Sequence, residues 1–160
     1  MNANQIAAEE EHVASFIKAN TNWRKRVSHE ARYLHYDYES DIFFLRFGNP
    51  YFVIMTYMDY DDDEFEWGFE ESNLQIAAIQ IMPLRKSYAL RYPKLQAAYD
   101  AMCRDWGEGD WFIHLLPQAR TKGASSAAAF ADALLECARD PVSVADYSER
   151  EHVSLPFPRA

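Results

Sequence analysis

Tyr33-Leu34-His35-Tyr36-Asp37-Tyr38, Ile42-Phe43-Phe44-Leu45-Arg46-Phe47 and Tyr51-Phe52-Val53-Ile54-Met55-Thr56-Tyr57-Met58 follow one another with only Glu39-Ser40-Asp41 and Gly48-Asn49-Pro50 between them. The first run alternates, and all three are rich in the β-branched and aromatic side chains that suit a pleated surface. Gly48-Asn49-Pro50 is a strong turn signal, and Glu39-Ser40-Asp41 can reverse the chain. Strands joined so tightly predict an antiparallel meander. The second and third runs are apolar on both faces, so at least one of them should be central and covered by helices.

Outward from this block the pattern turns helical. Gln5 to Ala19 sets Ile6, Val13, Phe16 and Ile17 near one face, and Asn20-Thr21-Asn22 ends the helix. Trp23-Arg24-Lys25-Arg26-Val27 forms a compact basic patch on a second short helix. Leu74 to Met82 is ambiguous: Ser72-Asn73 and the alanine pair permit a helix ending before Pro83, whereas Ile76, Ile79 and Ile81 favour a strand. Pro93 opens a helix whose Leu95, Ala98, Tyr99, Met102 and Trp106 recur at three and four, with Gly107 at its end. Asp110 leads into a strand over Trp111 to Leu116, and Ser125 or Ser126 caps a last helix carrying Phe130, Ala131, Leu134, Leu135 and Ala138 up to Asp140-Pro141. The sum is a single α+β domain over residues 1–141, with an antiparallel sheet of about four to five strands packed with N-terminal, central and C-terminal helices. Residues 142–160 read as a partly ordered tail.

At 160 residues and 49% apolar content, one such domain buries roughly 70% of its unfolded surface. Aromatics at 15% are abundant enough that some should stay exposed at an interface. The first twenty residues hold Glu9, Glu10 and Glu11 and no apolar stretch of leader length, and no run is long enough to span a bilayer. Cys103 and Cys137 fall in predicted helices and suit buried free thiols, which points to the cytoplasm. The five histidines have no metal spacing with the cysteines; His35 and His114 read as polar positions on strands. Gly107-Glu108-Gly109 lacks a third glycine and carries an acid where a phosphate would rest.

The charge is concentrated. Between Arg46 and Arg85 there is no lysine or arginine, and eight of the 25 acidic residues lie there: Asp59, Asp61, Asp62, Asp63, Glu64, Glu66, Glu70 and Glu71. That interval therefore carries nearly all of the net charge of −9. Such a field repels nucleic acid and anionic membrane and attracts basic protein surfaces. Asp59 to Glu70 places oxygens at several positions of an EF-hand calcium loop, but Glu64 stands where that loop needs its glycine. Asp59-x-Asp61 after an apolar strand resembles haloacid-dehalogenase phosphotransferases over two residues, without the later acids that would hold Mg²⁺. No cofactor or metal follows from these residues. A metal-dependent hydrolase built on Asp59, Asp61 and Asp63 is nevertheless the one enzymatic alternative the segment offers.

A solvated turn that keeps a sticky edge soluble accounts for the acids alone. It does not account for Tyr60, Phe65, Trp67 and Phe69 threaded among them, because rings in a negative field suit an interface with lysine and arginine. The predicted partner-binding surface is therefore Asp59, Tyr60, Asp61, Asp62, Asp63, Glu64, Phe65, Glu66, Trp67, Glu70 and Glu71. Trp23-Arg24-Lys25-Arg26, with Arg85-Lys86, Arg91 and Lys94, forms a basic counter-face suited to pairing with the chain's own acids, within the domain or across a homodimer.

A small acidic, aromatic-rich, bacterial-looking chain displaying Asp59 to Glu71 beside a sheet resembles, in general character, the immunity proteins that neutralise polymorphic or contact-dependent toxins. That resemblance implies a non-enzymatic module in which Asp61, Asp62, Asp63, Glu64 and Glu66 mimic nucleic-acid charge toward a basic toxin or effector domain, anchored by Tyr60, Phe65 and Trp67. Tyr33 to Phe65 is also similar to domains of the YbjN or type III secretion-chaperone type, which implies an acidic dimer gripping an extended protein segment in an apolar groove.

Overall fold

The computed structural model describes residues 2–49, 52–56, 63–117 and 122–143. Two helices come first, α1 (Ala3–Asn20) and α2 (Trp23–His29), followed by the strands β1 (Arg32–Asp37), β2 (Ile42–Phe47), β3 (Val53–Thr56), β4 (Phe65–Glu70) and β5 (Ile76–Ile81). A 3-10 turn at Tyr88–Arg91, helix α3 (Pro93–Trp106), strand β6 (Trp111–Leu115) and helix α4 (Lys122–Cys137) complete the described elements. The strands form one antiparallel sheet in the order β3-β4-β5-β2-β1-β6. The chain is thus α+β, with six strands where four to five were expected.

The extra strand is β4, inside the acidic interval. Its carboxylates conceal an alternation in which Phe65, Trp67 and Phe69 turn inward while Glu66 and Glu70 turn out. β4 also breaks the expected meander. β1 and β2 form a hairpin as predicted, but β2 pairs next with β5, and β3 lies at the sheet's edge beyond β4. Of the two apolar runs, β2 is therefore the central one. The Leu74–Met82 segment holds a strand, β5, over Ile76–Ile81 and not a helix, and its awkward spacing has a mechanical cause. Gly68 pairs with Ala78 but Phe69 with Ile76, so Ala77 is an extra residue, a bulge that lets Ile76 and Ile79 share one face although they lie three apart.

The described helices cover one face of the sheet. Phe16 of α1 meets Phe69 edge-on at 4.9 Å, and Trp23 of α2 meets Trp67 at 5.4 Å. Tyr99 of α3 lies 5.3 Å from Trp111, and Phe130 of α4 lies 5.1 Å from Phe43. Leu34, Leu45, Ile79, Ile81 and Ile113 complete the buried surface between these layers. On the opposite face Tyr33, His35, Phe44, Arg46, Gln80 and Phe112 are half-buried or exposed. No helix among the described residues is long and apolar enough to cross a membrane.

The helix boundaries mostly follow the sequence signals. Asn20 ends α1 and is itself buried: its amide donates to Phe16 and Leu74 carbonyls and accepts from the Ile76 N–H, pinning the turn before β5. Gly107 ends α3 with φ 85°, a left-handed conformation that suits glycine. Ser125 and Ser126, expected as caps of the last helix, sit inside α4, which already includes Lys122.

Gly68 is held by space. A Cβ there would stand 2.4 Å from Val53 Cγ1, 2.7 Å from Met55 Sδ and 2.8 Å from Ala78 Cβ, and the last is fixed to its own backbone. Gly68→Ala should therefore push β4 away from β5 and cost about 1–3 kcal/mol, read as a lower denaturation midpoint; an unchanged or raised midpoint would show that the ladder yields freely.

Candidate functional site

The strand directions bring four connections to one end of the sheet. β1 ends there and β2 begins, β3 ends and β4 begins, β5 ends, and β6 begins. The turn at 38–41, the start of β4 at 63–64, the segment 82–92 and the α3–β6 connection at 107–110 therefore share this end.

Asp41 ties two of them together. It is 2% exposed and sits at φ 56°, a left-handed conformation that Asp tolerates better than most residues. Its carboxylate accepts the N–H of Arg85 at 2.9 Å, the N–H of Lys86 at 2.8 Å and the Tyr36 hydroxyl. Its backbone carbonyl accepts the Leu84 N–H at 3.0 Å. Arg85, so placed, lies 4.4 Å over the Tyr38 ring. Tyr38 reaches the α3–β6 connection, its hydroxyl donating to Glu108 at 2.7 Å and its N–H to Asp110 at 2.8 Å. Glu64 closes the circuit from β4: its carbonyl accepts from Met82, and its carboxylate accepts from Ser87 at 2.6 Å and faces Arg91 at 3.6 Å. Four separate stretches are thus laced into one platform.

The lacing is structural in its chemistry. The Asp41 carboxylate is engaged by two backbone amides and a phenol, all of which belong to the fold. Burial, reinforced by the Asp41 carboxylate beside it, pushes the Tyr36 phenol well above the usual tyrosine range. Burial also pushes Tyr99 up, with Cys103 adding to it. The thiols of Cys103 and Cys137, both free and half-buried, are raised chiefly by burial, the opposite of an activated nucleophile. Among the described residues no group of histidine, cysteine and carboxylate side chains could hold a metal ion. The calcium-loop spacing fails for a plain reason: its second half is the paired strand β4.

The sequence-predicted residues divide. Asp59, Tyr60, Asp61 and Asp62 lie outside the described residues. Asp63 and Glu71 are exposed, and Glu66 and Glu70 are half-buried on the outward side of β4. Glu70 also accepts from Ser72 and Asn73. Phe65 and Trp67 are corrected: at 5% and 3% exposure they belong to the core and are not available as anchors, because the strand's alternation turns them under the helices. Glu64 is likewise engaged, by Ser87 and Arg91.

The exposed apolar groups at this end come from elsewhere. Met82 after β5, Leu90 in the 3-10 turn and Trp106 at the end of α3 are 49%, 58% and 42% exposed. Trp106 appears in the sequence as the last apolar position of a helix, and nothing in that spacing marks it as exposed. New acids join as well: Asp37 and Glu39 from the β1–β2 turn, and Glu108 and Asp110 ahead of β6. Two of the three cations of the α2 patch are engaged within the molecule, while Lys25 is exposed. Arg24 donates to the Leu135 carbonyl and stacks on Trp23, while Arg26 pairs with Glu30 and donates to the Ile76 carbonyl.

Two expectations test the lacing. Asp41→Asn keeps the left-handed backbone but turns one amide N–H toward another donor, which should cost about 1–3 kcal/mol and speed hydrogen exchange at the Arg85 and Lys86 amides; unchanged exchange there would contradict it. A raised tyrosine pKa contributes stability that is intact below the ordinary range near pH ~10 and is lost as pH climbs beyond it. In a spectrophotometric titration Tyr36 and Tyr99 should therefore ionise only as the protein unfolds, and reversible ionisation of all ten tyrosines in the folded state would refute that.

None of the family models, curated proteins and solved structures compared with this chain matches it.

Proposed function

We propose that this chain is a non-enzymatic protein-binding module that captures a basic partner on the acidic end of its sheet, as an immunity protein would occlude a toxin domain. The observation that carries this reading is convergence: Asp37, Glu39, Asp63, Glu108 and Asp110 come from three separate connections yet stand at one end. Asp59, Asp61 and Asp62 lie between β3 and β4 in sequence. Arg85, Lys86 and Arg91 in the segment after β5 offset part of this charge, Arg91 chiefly at Glu64. Carboxylates held in one field speed encounter with a cationic surface and fix its orientation, and Met82, Leu90 and Trp106 supply apolar contact that the acids lack.

A second reading has its own support. The sheet face away from the helices presents Ile42, Phe44, Met55 and Phe112, a surface that suits an extended protein segment bound as secretion chaperones bind theirs. The two readings differ in salt dependence, because apolar contact is insensitive to ionic strength and a carboxylate field is not.

Co-expression with the product of the neighbouring reading frame tests both levels of the proposal. The wild-type chain should co-purify with a basic domain of that product and restore growth. Asp61, Asp62 and Asp63 changed together to Lys should do neither, with circular dichroism and melting unchanged. A complex indifferent to salt and to the triple reversal removes the acidic end from the mechanism, and capture without rescue removes neutralisation.

A further inference from the structure

Three planar polar groups stand in one row on the open face of the sheet. His114 of β6 is opposite Tyr33 of β1, and Tyr33 is opposite Arg46 of β2. The imidazole stacks on the phenol ring at 4.3 Å and 12°, and from the β2 side the guanidinium lies over that ring, 5.1 Å from its centre. Stacking takes up the faces of these groups and leaves their edges for a ligand. Those edges carry guanidinium N–H, phenol O–H and imidazole N–H, each able to donate. None of the three side chains has a hydrogen-bond partner or a carboxylate counter-ion among the described residues, and Arg46 Nε is shut off from solvent without a partner. Beyond Arg46 the row continues through Ala78 and Gly68, which bring no polar side chain. A half-buried guanidinium thus stands uncompensated in a chain that holds 25 acidic residues against 16 basic ones. Its missing complement is an oxyanion.

The surroundings say what carries that anion. Two residues along the strands lies a second row, Phe112, His35 and Phe44, in which Phe112 is 84% exposed. A free ion would gain nothing from these rings, whereas a protein segment gains apolar contact as well. Arg46 and Phe44 are about 6.6 Å apart at the rise of a strand, and an extended segment presents alternate side chains at the same interval. A nucleic-acid strand would bring many charges to a chain of net charge −9 in order to meet one fixed cation. We propose that the open face binds an extended protein segment with Asp or Glu two positions from an apolar residue, the carboxylate seated on Arg46, Tyr33 and His114 and the apolar group against Phe44 and its row. This rests on the second reading above, that an extended segment lies on this face, and states the chemistry such a segment must have. One half-buried pair is screened far less than the field of the acidic end, so the two readings still part on salt.

The probe is a capped heptapeptide of threonine whose second, fourth and sixth residues are Glu, Phe and Val, compared with the same peptide carrying Gln for Glu. Titrated into ¹⁵N-labelled protein, the Glu peptide should shift the amide signals of Tyr33, Arg46 and His114 and bind about tenfold more tightly than the Gln peptide, the loss expected for one hydrogen-bonded charge. Arg46→Gln should abolish that preference and Arg46→Lys restore part of it, with the circular dichroism of both variants unchanged. A face unshifted by either peptide overturns the second reading and this inference together. Equal binding of the two peptides, or a preference that survives Arg46→Gln, overturns the inference alone. So does tighter binding of a deoxythymidine hexamer at the same amides, which would make nucleic acid the occupant.

Discussion

A single buried carboxylate organises the end of the sheet on which the functional reading rests. Asp41 can occupy the interior because its oxygens meet two backbone amides and a phenol, which offset the desolvation an unpaired charge would suffer. In return it fixes the segment after β5 against the β1–β2 turn, and through Arg85 and Tyr38 it reaches the connection into β6. Exposed acids that repel one another need such a frame. Without it the cheapest response to their repulsion is for the connections to separate, and the local field would weaken with them.

The second organising constraint is one-sided coverage. The described helices pack on the inward side of a sheet whose strands alternate, so each strand contributes rings or aliphatic groups to the core and polar or mixed groups to the other face. The Ala77 bulge and the absent side chain at Gly68 keep β4 and β5 in step under that demand. β4 can then carry acids outward and tryptophan inward within six residues.

Much of this was legible in advance. The β1–β2 hairpin, the β-rich third run, the helix from Pro93 to Gly107 and the strand at Trp111 all rest on local signals, namely alternation, turn residues and caps, that tertiary contacts did not override. The order of the strands was not legible, because nothing in β2 says that β5 and not β3 lies beside it. β4 was missed because a run of carboxylates outweighed its period of two, and with it the roles of Phe65 and Trp67 were misjudged. Rings among acids suggested an interface, whereas alternation sends those rings inward. The Asp41 lacing left no trace in the sequence either, since Glu39-Ser40-Asp41 reads as an ordinary turn and the backbone amides its carboxylate accepts lie more than forty positions away. The acidic character of the site was plain from charge alone; its assembly from three further connections required the topology.

The account makes the end of the sheet, not its open face or its borders, the surface that meets a cationic protein. Hydrogen exchange on a complex with the basic domain of the neighbouring gene product measures this directly. Protection gained at residues 38–41, 63–64, 82–92 and 107–110, fading as salt is raised, is the result the account predicts. Protection confined to the outward positions of β1, β2 and β5, or unaffected by salt, would contradict it.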